Sequence, residues 1–250
     1  MLALGLALAS ALSPSKVAPA LRLRGGGISA RDAQKVVAGL MGLSSSIGYV
    51  YTAEMCELYE FTDPVTPQTR LLSKMAFGNN IAAAVLLLKP EYFIVVLAGV
   101  AYSVADQVGD VLEAPRYPVV AWAVLPLVFE WAMAQDRLPK WALGAFLMAH
   151  GVANIMAWEF VYDRVFQAKA KLTKQSLSVG KFFSGNILAT GTYLVSQAIG
   201  NAPAMSFGYW AAVMTAVFTK FVLVDRVFNP VGGYVWIALY AAAAGIALTA

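Results

Sequence analysis

The chain has 250 residues, of which 60% are apolar and only 13% charged, with a formal net charge of +4. A soluble domain carries about a quarter charged residues, so this chain has too little polar surface to cover a globule in water, which excludes a soluble enzyme. A bilayer solvates such a chain, and at about 20 residues per crossing with short loops its length allows roughly eight crossings.

The scarce chemistry-bearing residues narrow the classes further. Cys56 is the only cysteine and His150 the only histidine. No intrachain disulfide, Cys/His zinc site or paired axial haem ligation follows from that inventory. With 18 basic and 14 acidic residues, the excess positive charge fits lipid headgroups rather than nucleic acid. The expected partners are the bilayer and other subunits of a membrane complex.

Residues 1–32 read as a signal and transit leader. MLALGLALASALS (1–13) is too short to span and matches a signal h-region, and Lys16, Arg22, Arg24 and Arg31 follow before the first acid, Asp32. A signal run joined to a basic segment is similar to the two-part presequences of complex plastids, which points to a plastid or other organellar membrane. Beyond the leader, apolar blocks of helical length alternate with Pro, Gly and charge clusters. They predict an all-α bundle with spans near 34–56, 69–88, 92–112, 118–135, 140–162, 179–199, 206–226 and 231–249. The connections near 57–68 and 163–178 are the two long ones.

The two halves, 33–137 and 138–250, look alike. KVVAGLMGLSSSIGYVYTAE (35–54) aligns with KWALGAFLMAHGVANIMAWE (140–159), pairing Lys35 with Lys140, Gly39 with Gly144 and Glu54 with Glu159. KMAFGNNIA (74–82) aligns with KFFSGNILA (181–189), pairing Lys74, Gly78 and Asn79 with Lys181, Gly185 and Asn186. DVLEAP (110–115) aligns with DRVFNP (225–230), pairing Asp110 with Asp225. The offsets, 105, 107 and 115, change only in connections. An even number of helices per unit gives both copies the same orientation in the membrane. Gly39, Gly42, Gly48, Gly144 and Gly151 are expected to let the first helix of each half approach its neighbours.

LGAFLMAHGVANIM (143–156) resembles the opening helix of the DoxX-like membrane proteins, where a His-Gly pair closes an apolar run, and KFFSGNILATGTYLV (181–195) is similar to their second helix. Asn154 stands where that family carries a basic residue, and Ser45-Ser46 stands in the first half in place of His-Gly. The resemblance implies a four-helix membrane bundle, in some members linked to quinol electron transfer.

Ionisable groups within spans are costly and point to function. Glu54, Lys74, Asp106 and Asp110 fall near one membrane surface with their counterparts Glu159, Lys181 and Asp225. That set suits a proton relay or the mouth of a solute path, and equally suits helix-end clasps at headgroup level. Asp106 lies one turn from Asp110, and a desolvated Asp beside another carboxylate is expected to titrate near neutrality. Glu130 follows Pro126 inside the fourth span. His150 and Asn154, one turn apart, are candidates to hold a quinone carbonyl. Lys220, in the seventh span, is a weaker match to a retinal-binding lysine. The six tryptophans fall near span ends and read as an interfacial belt. No nucleotide, hydrolase or metalloprotease motif is present. Two functions stand from this reading: small-solute or proton-coupled transport, and, as a different class, a quinone-linked redox accessory or structural subunit.

Overall fold

The computed structural model describes residues 28–250. Among them the chain is helical, with Phe61 and Phe228 forming an isolated antiparallel bridge. Most of the proposed leader lies outside the described residues, and its last residues, from Ala30, are already the first turn of a helix.

Helix α1 (Ala30–Val50) starts at Ser29, whose hydroxyl accepts from the Asp32 amide as an N-cap. It breaks at Tyr51 (φ −114°, ψ 55°), and α2 (Thr52–Leu58) leaves at 117° to it. Helix α3 (Pro67–Leu88) opens on a Thr66 cap with proline in its first turn. A short 3₁₀ turn (Pro90–Tyr92) leads into α4 (Phe93–Ser103) and α5 (Ala105–Leu112), which meet at a break at Val104. Helix α6 is Tyr117–Ala134 and α7 is Ala142–Phe160, the latter kinked at Ala157 (φ −133°, ψ 38°) and continued by a π-helical turn, Val161–Val165. Helix α8 (Lys174–Ala198) is capped by Thr173, α9 (Pro203–Thr219) runs into a second π-helical turn, Lys220–Val224, and α10 is Pro230–Leu248.

Five of these elements are long and apolar enough to cross a membrane: α3, α4 with α5, α6, α9 and α10; α1 with α2 makes a sixth if the bent pair is one span. The sequence reading expected eight. Helices α7 and α8 stand where two more spans were drawn, but α8 is richer in polar residues. Its Gln175, Ser176, Ser184, Asn186 and Thr190 are buried against other helices, where polar groups find partners instead of lipid. Helix α8 also starts five residues earlier than expected, because Thr173 caps a turn, KQSLS, that reads as loop on hydropathy alone.

Helices α3 and α8 pack against each other at the centre. Each is flanked on one side by the preceding long helix, α1 or α7, and on the other by the following one, α4 or α9; α6 and α10 lie outside. The Thr69 and Ser176 hydroxyls meet at 2.7 Å across this contact, and Asn186 Nδ2 donates to Asn80 Oδ1 at 2.9 Å. At one end, the Thr62 amide donates to Val227 O (3.0 Å) and the Lys169 amide to Leu112 O (3.1 Å). Helices α7 and α8 approach backbone to backbone. A Cβ on Gly191 would stand 2.6 Å from Met148 N, and one on Gly151 2.8 Å from Leu188 N. The expected close approach of α1 is uneven: Gly48 is pressed by the Phe77 ring, whereas Gly39 has open space around it.

Candidate functional site

The candidate charges do not gather into one buried cluster. Asp106 and Asp110, on one face of α5, both reach Arg116, at 2.9 and 3.7 Å, with the Asp side chains 80% and 76% exposed. The bundle itself does not enclose this pair. Lys74 Nζ lies 3.5 Å from Gln107 Oε1 and over the Tyr49 ring. Asp225 pairs with Lys220 at 2.7 Å, which occupies the amine that the retinal comparison needed. Glu54, Glu130 and Glu159 are exposed, and Lys181 is half-buried. These contacts are local clasps near helix ends.

His150 and Asn154 are brought together. They stand one turn apart on α7, and Asn154 Nδ2 lies 2.8 Å from His150 Nε2. Trp122 Nε1, from α6, donates to the same nitrogen at 3.1 Å. An indole N–H can only donate, so Nε2 is an acceptor and the neutral imidazole carries its proton on Nδ1. Among the described residues, Nδ1 has no hydrogen-bond partner. The Trp122 ring packs at 5.2 Å and the Phe146 ring at 6.0 Å from the imidazole, fixing its orientation. Pro126 sits inside α6 and has no N–H, so the Trp122 carbonyl four residues earlier loses its helical donor.

His150 lines a half-open pocket between α3, α4, α6 and α8. Its walls are apolar apart from His150, Trp122 and Asn79. Asn79 is 4% exposed, and its buried Nδ2 has no hydrogen-bond partner among the described residues. A buried donor left in that state costs about 1–3 kcal/mol, a cost that a ligand oxygen would remove. The site therefore brings an imidazole and a carboxamide side chain to the wall of an otherwise apolar pocket. It suits an uncharged ring compound with carbonyl oxygens.

Two of these residues escape the sequence reading. Trp122 was assigned to the interfacial belt, as were Trp158 and Trp210, yet the last two are 3% and 0% exposed inside the bundle. Trp131 and Trp141, at 54% and 49% exposed, do fit a belt. Position within a span separates the groups only weakly; the available signal for Trp122 was its spacing of four from Pro126. Asn79 drew notice as a partner of Asn186 in the repeat, whereas Asn80 makes the contact with Asn186 and Asn79 turns to the cavity.

No protein-family model, curated protein or solved structure matches this chain.

Proposed function

We propose that the chain is an eight-span membrane protein made of two copies of a four-helix unit, and that it binds a quinone-type carbonyl compound beside His150 as an accessory to membrane electron transfer. The observation that carries the functional part is the imidazole of His150, held by Trp122 and Asn154 on the wall of an apolar pocket that Asn79, whose Nδ2 has no partner among the described residues, also lines.

Several details support the duplication. Thr69 and Ser176, which touch, are 107 residues apart, the same offset that aligns Lys74 with Lys181. A residue touching its own counterpart is the mark of a two-fold relation. Thr66 and Thr173, both helix caps, share that offset, as do Glu60 and Gln167, both in the left-handed region at φ 50° and 51°. The Thr62–Val227 and Lys169–Leu112 hydrogen bonds exchange with one another under offsets of 107 and 115. For the span number, α7 and α8 have 19 and 25 residues, lengths that suffice to cross. A helix sheathed by other helices does not need an apolar surface.

A quinone supplies two-electron, two-proton redox chemistry when bound. The protein's part is to donate from His150 Nδ1 and Asn79 Nδ2 to ring oxygens, to exclude water with Leu97, Val100 and Val104, and to hold a proton on the imidazole beside the oxygen. The likeness of 143–156 to DoxX-like proteins agrees with this reading, and the basic leader favours an organellar, plastid membrane. Transport through Asp106 and Asp110 draws less support, because their exposed pairing with Arg116 resembles a headgroup clasp. The test is to purify the protein in mild detergent and analyse its extracted lipids. Quinone retained by the wild type and lost from His150→Ala is expected; no quinone with large partners stably attached would favour a structural subunit instead.

A further inference from the structure

A second half-open cavity lies between α1, α3, α8, α9 and α10. It is separate from the His150 chamber and shares none of its lining residues. Aromatic rings dominate its wall: Phe77, Phe182, Phe218, Phe221, Trp236 and Tyr240. Phe182 and Phe221 stack at 4.4 Å, and Trp236 stacks on Tyr240 at 5.7 Å.

Its polar groups are all uncharged. Ser44, Ser45, Ser73 and Asn80 line one wall, and Tyr59 faces them from the segment after α2. Ser73 is 4% exposed, and its buried hydroxyl lies beside the Cys56 thiol with no oxygen or nitrogen partner among the described residues. Trp236 Nε1 donates to the Tyr59 oxygen at 3.0 Å, which pins the phenol while leaving its own O–H free to donate. Each cavity thus holds a ring fixed by an indole N–H, with that ring's remaining proton unspent.

The geometry points to this cavity as a second ligand site, for a neutral ring-ended lipid whose ring carries a carbonyl oxygen. Stacked aromatic walls favour a flat ring. No carboxylate, ammonium or guanidinium lines the cavity, so a charged ligand would lose its hydration without compensation. Tyr59 and Ser73 supply donors for a carbonyl. Among the described residues no imidazole lines this cavity, and the role assigned to it is to hold the ligand in place.

The site is tested with the full chain in lipid nanodiscs, titrated with isophorone, a cyclohexenone whose ring carries the ketone, and followed by quenching of tryptophan fluorescence and by equilibrium dialysis. The expected result is saturable binding, weakened about 5- to 10-fold by Tyr59→Phe, which removes one hydroxyl worth a typical buried hydrogen bond. Ser45→Phe, which fills the chamber, should abolish binding. His150→Ala, in the other chamber, should leave it unchanged, so this site and the quinone site stand or fall separately. Ser45→Phe is read only if it elutes as the wild type does; Tyr59→Phe decides the matter otherwise. Absence of saturable binding, or binding that Tyr59→Phe leaves intact, overturns the proposal.

Discussion

The contact between α7 and α8 predicts opposite outcomes for two chemically identical substitutions. At Gly191 an added Cβ would stand 2.6 Å from Met148 N and 2.7 Å from Gly144 O, both backbone atoms of α7. Non-bonded heavy atoms rest at about 3.5 Å, so the two helices must part by about 1 Å to admit one methyl group. Overpacking of this kind costs about 1–3 kcal/mol, offset by up to about 1 kcal/mol from the better helix propensity of alanine. Gly191→Ala should therefore lose about 1–2 kcal/mol net, a fall of about 2–8 °C in melting midpoint for a chain of this size. At Gly39 the added Cβ meets nothing within 4 Å, so Gly39→Ala keeps only the propensity gain and should hold or raise the midpoint. Thermal unfolding of both variants in one detergent, read by tryptophan fluorescence and by retention on size exclusion, makes the comparison. Equal shifts in the same direction would refute the claim that α7 and α8 meet backbone to backbone.

Other consequences follow from the central contact and the surface charges. A double-mutant cycle on Asn80→Ala and Asn186→Ala should return a coupling of about 0.6–1.7 kcal/mol, the range for hydrogen bonds between membrane helices; zero coupling would mean that the two amides do not meet. Cys56, 1% exposed, should resist maleimide in the folded protein and label on unfolding, as read by intact mass; fast labelling of native protein would contradict its burial. Asp106→Asn and Asp110→Asn together should cost no more than about 1 kcal/mol, as exposed ion pairs do. If the double variant instead abolishes a proton-coupled flux in proteoliposomes, transport displaces the quinone reading.

Much of the architecture was legible in the sequence because it is written in features that burial makes costly to place elsewhere. Prolines and polar caps mark the starts of α3, α9 and α10 within a few residues, since each helix needs its first amides satisfied. The start of α8 was missed because Gln175, Ser176 and Ser178 look like loop on hydropathy; they are polar because other helices, not lipid, surround them. The breaks at Tyr51 and Val104 carry no proline or glycine at the break itself and left no local signal. The site was half legible. His150 and Asn154 stand out by their rarity and i, i+4 spacing, but the group that fixes the imidazole, Trp122, comes from another helix and resembles any tryptophan near a span end. The carboxylates' surroundings were not legible for a related reason: a charge at the edge of a span looks the same in sequence whether it turns inward or, like Asp106, outward to an arginine.

The most direct test of the account is a binding titration of decylubiquinone with the full chain in nanodiscs, comparing wild type with His150→Ala and Tyr59→Phe. The account predicts a saturable component that His150→Ala weakens about tenfold or more, the worth of a buried hydrogen bond at the upper end of its range, and that persists in Tyr59→Phe, which alters only the second chamber. Binding of equal strength in wild type and His150→Ala would contradict it.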